Sequence, residues 1–200
     1  QVFREVRKPT MRNHTATHIM HAALRKVLGS HVRQAGSYVN DKQLRLDFSH
    51  FESITPEQLK QIEDEVNQVI LANTKVLKEE MDQEAAKEKG ALAFFGDKYG
   101  DVVRVISISD YSVEFCGGTH IDNTSEIGFF KILTESSIAA GVRRVEAVTG
   151  EAAIKLAQEE SITIKTIADQ LKAQPKELAS KVDKLQKNLK AKDKEIEKLK

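Results

Sequence analysis

Two short segments constrain this chain more than any others: His14-Thr15-Ala16-Thr17-His18 and Cys116-Gly117-Gly118-Thr119-His120. Two histidines four apart on a helix lie one turn above the other and face the same way. Such a pair cannot complete a metal site, because zinc takes three or four protein ligands from His, Cys and carboxylate. Cys116 is the single cysteine, and His120 follows it by four residues. A fold that uses both segments must bring an HxxxH helix against a CxxxH loop from far along the chain.

Each half is weak by itself. A helical His pair is more often surface or core than ligand, and a lone Cys on a strand is usually a small buried hydrophobe. The two glycines after Cys116 raise the signal, since they permit a tight loop and a close backbone approach. Cys116 and His120 can then meet one ion from a loop while His14 and His18 meet it from a helix, a donor set that suits zinc best. His21 is the rival helical ligand; one residue short of another i+4 step, it fits a supporting or core role better. His31 and His50 read as ordinary hairpin or surface histidines. Nucleophilic catalysis by Cys116, with His120 as base, is the competing chemistry. It leaves the HxxxH pair without a role and ranks below metal binding.

The surrounding pattern predicts an α+β fold, an antiparallel or mixed sheet with packed helices. A helix is expected over 11–28, capped by Thr10 or Asn13 and stopped by Gly29, with Ile19, Met20, Ala23, Leu24, Val27 and Leu28 as its buried stripe. Residues 30–50 alternate with period two around a turn at Asn40-Asp41. In the second run Leu44, Leu46 and Phe48 face one side, Arg45 and Asp47 the other. Thr55-Pro56-Glu57-Gln58 is a capping-box start for a helix to about Ala72. Strands follow at 75–81, 102–108, 111–115, 128–135 and 142–148, with a short helix over 83–89 and a glycine-bounded aromatic loop over 91–100. Gly150 opens a helix to about Glu160, and a further helical segment reaches Lys172. After Pro175 the chain turns to Lys, Glu, Asp and Leu. Leu178, Val182, Leu185, Leu189, Lys192, Ile196 and Leu199 make a heptad seam, expected to form a coiled coil, whose partner the residues leave open between a second copy of the chain, an upstream helix and chain outside this sequence.

Composition excludes some function classes. With 31 basic and 30 acidic residues there is no global pull toward polyanions, so nucleic-acid contact must come from a local patch. One cysteine excludes an internal disulfide framework and fits a reducing, cytoplasmic setting. No apolar run is long enough for a membrane span, and no signal peptide is read. The start at Gln1 without Met, and the end inside a charged helical pattern, predict a piece of a longer protein.

The segments RNHTATHIMHAALRKVLGSHVRQAGSYVN, RLDFSH, EFCGGTH and AAGVRRVEAVTG, in order and at family-like spacing over residues 10–155, resemble the post-transfer editing domain of alanyl-tRNA synthetases. Threonyl-tRNA synthetase editing domains and freestanding alanyl-tRNA editing proteins share the HxxxH/CxxxH arrangement; the CGGTH and GVRR wording favours the alanyl branch. Leu46 stands where the family commonly has Phe. The resemblance implies a zinc-containing tRNA editing domain over 1–155, a helical connector over 156–174 and a coiled-coil helix over 175–200. It implies His14, His18, Cys116 and His120 as ligands of one Zn2+. It places Gln34 at a pocket-lining polar position. Arg45 or Asp47 can face the same pocket, and Thr15, Thr17 and Thr119 are candidates for reading an amino-acid hydroxyl. The bland reading of helical threonines is that they bond the preceding turn.

The activity implied is hydrolysis of the ester of mischarged Ser-tRNA(Ala) and Gly-tRNA(Ala). A synthetic pocket for alanine cannot strongly reject glycine or serine, so a second hydrolytic site supplies the remaining discrimination. Zinc can activate water or only organise the pocket, and the residues leave this open. The tRNA acceptor end needs phosphate contacts. Arg143 and Arg144 after Gly141, and Arg4, Arg7, Lys8, Arg12, Arg25, Lys26 and Arg33 early in the chain, are the candidates. No ATP site or aminoacylation motif is visible; in an alanine–tRNA ligase, ATP-dependent ligation would occur elsewhere in the parent. A freestanding editing deacylase and a non-catalytic, zinc-stabilised RNA-binding module are the alternatives.

Overall fold

A computed structural model describes residues 3–93 and 100–199, apart from the side chain of Arg4. Part of the expected aromatic loop over 91–100 lies outside the described residues. The chain divides into two compact units, Gln1–Ile154 and Lys155–Lys200.

The first unit opens with helix α1 (Arg4–Leu28), longer at its start than the sequence predicts. Pro9 lies inside it. A proline there removes one helical hydrogen bond, to the carbonyl of Glu5. Glu5 is exposed, so water can serve that carbonyl and the helix continues. Thr10 and Asn13 are therefore not caps. Thr10 donates back to the Val6 carbonyl at 2.7 Å, and Asn13 is buried, donating to the Asn40 carbonyl at 2.9 Å. Gly29, at φ 118°, ends the helix as expected.

Strands β1 (Gln34–Val39) and β2 (Leu44–Ser49) form the expected hairpin. Asn40 Oδ1 accepts from the amides of Lys42 and Gln43 at 2.8 and 2.9 Å, which shapes the turn. Helix α2 (Pro56–Leu71) starts on the predicted capping box, with both reciprocal bonds between Thr55 and Gln58 present. Strand β3 (Val76–Asp82), the short helix α3 (Gln83–Glu88), β4 (Val102–Ile108) and β5 (Ser112–Phe115) follow. A 3-10 turn over Thr124–Ile127 carries no sequence expectation. Strands β6 (Phe130–Ala139) and β7 (Val142–Thr149) close the unit as a long hairpin.

The fold is α+β with two antiparallel sheets, ordered β1-β2-β7-β6 and β3-β4-β5. Helix α1 contacts β2 and β7 of the first sheet and β5 of the second, so it packs against both sheets. Its Ile19, Met20, Ala23 and Leu24 join Leu44, Leu46 and Phe48 of β2, Ile62, Val66 and Ile70 of α2, and Ile106 and Ile108 of β4 in one core. Burying an aliphatic side chain of this size contributes about 1.5–3 kcal/mol. The other face of β4 supplies Val103 and Val105 to a smaller cluster with Phe115 and Ala86 of α3. This double burial gives β5 a rigid neighbour, and β5 carries the approach to Cys116.

The second unit is helical. Helix α4 (Gly150–Gln170), which begins in the first unit, runs without a break where two segments are expected, and α5 (Leu178–Lys198) follows a 3-10 turn over Pro175–Glu177. No residue of α5 is buried. No helix among the described residues is long and apolar enough to cross a membrane.

Candidate metal centre

His14, His18, Cys116 and His120 come together, with one ligand atom from each lying within 4.8 Å of the others. The two helical histidines stand one turn apart on α1, their ring centroids 5.2 Å from each other. The His120 ring sits 4.3 Å from that of His14 and 4.9 Å from that of His18. Cys116 Sγ lies 3.4 Å from His14 Nε2 and 3.3 Å from His120 Nε2. Ligand bonds of about 2.3 Å to sulfur and 2.0–2.1 Å to nitrogen, at tetrahedral angles, set the S···N separation near 3.6 Å. Donor types and spacing therefore both fit a tetrahedral zinc ion.

The loop that carries Cys116 and His120 is held from β4. The Cys116 amide donates to the Arg104 carbonyl at 3.0 Å, extending the ladder by one step. The Arg104 guanidinium donates through Nη1 to the carbonyls of Cys116 and Gly118 at 3.0 and 2.6 Å. Gly118 passes against His14, and a Cβ there would sit 2.1 Å from His14 Cε1. Around Gly117 there is open space. Only the second glycine answers to a close approach.

Hydrogen bonds behind the cluster set which ring nitrogen faces it. Thr15 Oγ1 lies 3.0 Å from the Met11 carbonyl, to which it donates, and 3.1 Å from His120 Nδ1. The hydroxyl then accepts from Nδ1–H, and the lone pair of His120 is left on Nε2, the nitrogen nearest Cys116. On the helix side, His18 Nδ1 is ion-paired with Glu114, and His21 Nδ1 lies 2.7 Å from the same carboxylate. A carboxylate behind a ligating histidine is the usual support of a metal site.

The electrostatics follow from burial and these contacts. Burial of Cys116 opposes ionisation, but hydrogen bonds from His120, His14 and His18 outweigh it and bring the thiol down to about 3, into the metal-binding thiolate form. Burial, together with the neighbouring His18 and His14 charges, takes His120 down to about 4, the neutral form that ligates. Burial works against charge on Glu114 as well, yet His18 and His21 hold it near 2. The same carboxylate overcomes the burial of His18 and raises that ring to about 10, so a metal that takes His18 Nε2 must displace a proton from it.

A family model described as "Threonyl and Alanyl tRNA synthetase second additional domain" matches residues 103–146. Over 194 residues the chain is 55% identical to an alanine–tRNA ligase of Thermoanaerobacter sp., covering 97% of this chain and 22% of that protein. It is 53% identical over 188 residues to the alanine–tRNA ligase of Acetivibrio thermocellus, covering 94% of this chain and 21% of that protein. The corresponding figures for Halorhodospira halophila are 51% over 200 residues, all of this chain and 23% of that protein. The chain resembles the part of alanyl-tRNA synthetases that carries this domain. It spans roughly a fifth of the length of these relatives.

The matched span runs from β4 through the CGGTH loop into β7. It includes Cys116 and His120. His14 and His18 lie outside it on α1, so the cluster joins the matched span to a helix that precedes it.

The other expected site residues go to three places. Gln34 lines a cavity of about 140 Å3 together with His21, Arg25 and Arg33, and none of the four cluster residues lines it. Thr119 is half-buried in the loop. Thr17 donates to the Asn13 carbonyl at 2.8 Å, the preceding-turn bond, while Thr15 supports His120. Arg45 and Asp47 lie on the sheet face opposite Leu44, Leu46 and Phe48, as alternation predicts. There Asp47 takes both Nε and Nη2 of Arg144 at 2.7 and 2.8 Å, and Arg45 lies over the Tyr38 ring. Arg143 is paired with Glu135. Gly141 makes the β6–β7 turn at φ 71° and carries Phe51 against it.

Among the early basic residues, Arg7, Lys8 and Arg33 are exposed, Arg25 donates to the carbonyls of Ser30 and Val32, and Lys26 pairs with Glu65. His31 and His50 contact each other at 2.9 Å, away from the cluster.

Two residues that contact the cluster or its loop, Glu114 and Arg104, escape the sequence reading. Glu114 had a signal, since it stands two before Cys116 on the same strand and hence on the same face. Arg104 had none, because only the pairing of β4 with β5 brings it to the loop.

Proposed function

We propose that the chain is the editing part of an alanyl-tRNA synthetase, an aminoacyl-tRNA hydrolase acting in the cytoplasm on the ester of mischarged Ser-tRNA(Ala) and Gly-tRNA(Ala). The observation that carries this reading is the convergence of His14, His18, Cys116 and His120, with the His18 and His120 rings supported from behind, inside a region similar to alanine–tRNA ligases. These four residues would hold one Zn2+. When bound, that ion supplies a Lewis acid able to polarise an ester oxygen or to lower the pKa of water.

The chain's own groups do the rest. Thr15 and Glu114 hold the protons of His120 and His18 on Nδ1 and keep Nε2 available. Gln34 and Thr119 are proposed to line the aminoacyl pocket, exposed Arg7, Lys8 and Arg33 to meet acceptor-end phosphates, and the β6–β7 turn with Gly141, Arg143 and Arg144 to add a second tRNA contact. Arg45, Asp47 and Thr17 are proposed as supports of the sheet and helix around the pocket. The editing domain is assigned to 1–155, a connector to 156–174 and a coiled coil to 175–200, with self-association through the exposed α5 seam.

Incubating the chain with Ser-tRNA(Ala), Gly-tRNA(Ala) and Ala-tRNA(Ala) tests the reading. Release of serine and glycine with alanine spared is the expected result. An intact, zinc-loaded chain that binds tRNA(Ala) and releases neither amino acid refutes it.

One observation favours a second reading. Four protein donors can close a zinc coordination sphere, as structural sites do. A purely structural ion in an RNA-binding module predicts that Cys116→Ala lowers the melting temperature along with any activity. Loss of hydrolysis with melting temperature and tRNA affinity retained eliminates that reading.

A further inference from the structure

The Glu114 side chain is only 2% exposed and faces two imidazoles. Its Oε2 is paired with His18 Nδ1, and its Oε1 lies 2.7 Å from His21 Nδ1. A carboxylate set against two Nδ1 atoms accepts an N–H from each, and in a ring that is neutral, as a metal ligand must be, the lone pair then lies on Nε2. For His18, Nε2 is the nitrogen left for the metal. His21 lines the cavity it shares with Arg25, Arg33 and Gln34.

The strand that carries this carboxylate is fixed on both edges. Ile106 of β4 is the register partner of Glu114 on one side, and Leu92 bridges it on the other. The Leu92 amide donates to the Val113 carbonyl at 2.8 Å, and the Phe115 amide to the Leu92 carbonyl at 2.9 Å. A group held this way is a fixed reference for both rings. His18 and His21 are three apart on α1 and face one strip, which lets a single carboxylate span them.

We propose that Glu114 is a positioning residue that sets the Nδ1–H tautomer of His18 and of His21 together, so that one carboxylate orients a metal ligand and the histidine that lines the Gln34 cavity. The inference rests on the metal-binding reading above. It makes the carboxylate, and not the bulk of the side chain, the requirement. Glutamine has nearly the same shape but offers one acceptor oxygen and one donor NH2. Because each ring meets a different oxygen of Glu114, the NH2 of a glutamine held in the same place faces one of them, and in Glu114→Gln that imidazole must move its proton to Nε2 to accept from it.

The experiment uses the full chain. Nitrogen-15 NMR of the zinc-loaded wild type, with the imidazoles assigned, should show His18 and His21 both protonated at Nδ1. In Glu114→Gln one of them should convert to the Nε2–H form. Affinity for Zn2+ alone, measured against a chromophoric chelator, should fall about 10- to 100-fold, the usual cost of removing such a support. Nε2 protonation of either ring in the zinc-loaded wild type overturns the proposal. So does a variant that binds zinc as tightly as wild type, or one that binds weakly with both tautomers unchanged. If the variant does not fold, the wild-type tautomers decide alone. A wild type that binds no zinc overturns the metal reading as well, whereas a zinc-binding wild type matched by its variant removes only this inference.

Discussion

Gly117 and Gly118 are adjacent and identical in the sequence, yet the structure predicts opposite outcomes for alanine at each. At Gly118 the added Cβ falls 2.1 Å from His14 Cε1 and 2.6 Å from Nδ1, while at Gly117 it meets nothing within 4 Å. To reach an ordinary carbon contact beyond about 3.4 Å, the His14 ring must retreat by about 1.3 Å. Ligand positions in a metal site tolerate about 0.2 Å. In the metal-free protein the ring is the end of a flexible side chain and can swing aside at small cost, so the melting temperature should hold. In the metal-bound protein the ring must return against the methyl group. Overpacking of this kind costs about 1–3 kcal/mol. Since every 1.4 kcal/mol is tenfold, the loss in zinc affinity is roughly 5- to 150-fold. Chelator competition on Gly118→Ala, Gly117→Ala and wild type measures it, with thermal unfolding of the metal-free forms alongside. Equal zinc affinities for the two variants would refute the reasoning, because they would show that His14 need not stand where it meets Gly118.

The other predictions concern the same supports. Thr15→Ala should leave the buried Nδ1–H of His120 without its acceptor, a loss of about 1–3 kcal/mol, with Thr15→Ser close to wild type in both melting temperature and zinc affinity. Asp47 is held below its ordinary pKa of 3.8, first by the hydrogen bond from Arg144 and then by the charges of Arg144 and Arg45. Its contribution to stability is therefore present above the unfolded pKa and lost as pH falls through the lower folded value. Melting curves of Asp47→Asn should be flatter with pH than wild type below about pH 4, with little relative change near neutrality. Parallel slopes in that acid range would show that the Arg144 pair contributes nothing to folding.

Much of the architecture is legible because local chemistry dictates it. The α2 capping box, the Asn40 turn, the alternation of β2 and the glycine stop of α1 each depend on residues within a few positions of one another. The start of α1 is not legible, because Pro9 reads as a boundary until one sees that the carbonyl it deprives faces solvent. The role of Thr15 is hidden for a related reason. Its bond to the preceding turn is local, but its bond to His120 crosses 105 residues.

The metal cluster divides along the same line. The sequence by itself singles out the four residues, through a helical HxxxH, a glycine-flanked CxxxH and the resemblance of the segments around them. Tertiary structure alone decides what makes them a site. Packing of α1 against β5 puts Glu114 behind His18, pairing of β4 with β5 puts Arg104 under the loop, and the approach of His14 gives Gly118, but not Gly117, its necessity. These are contacts between segments far apart in the chain, and a residue's type and neighbours do not say what will be folded against it.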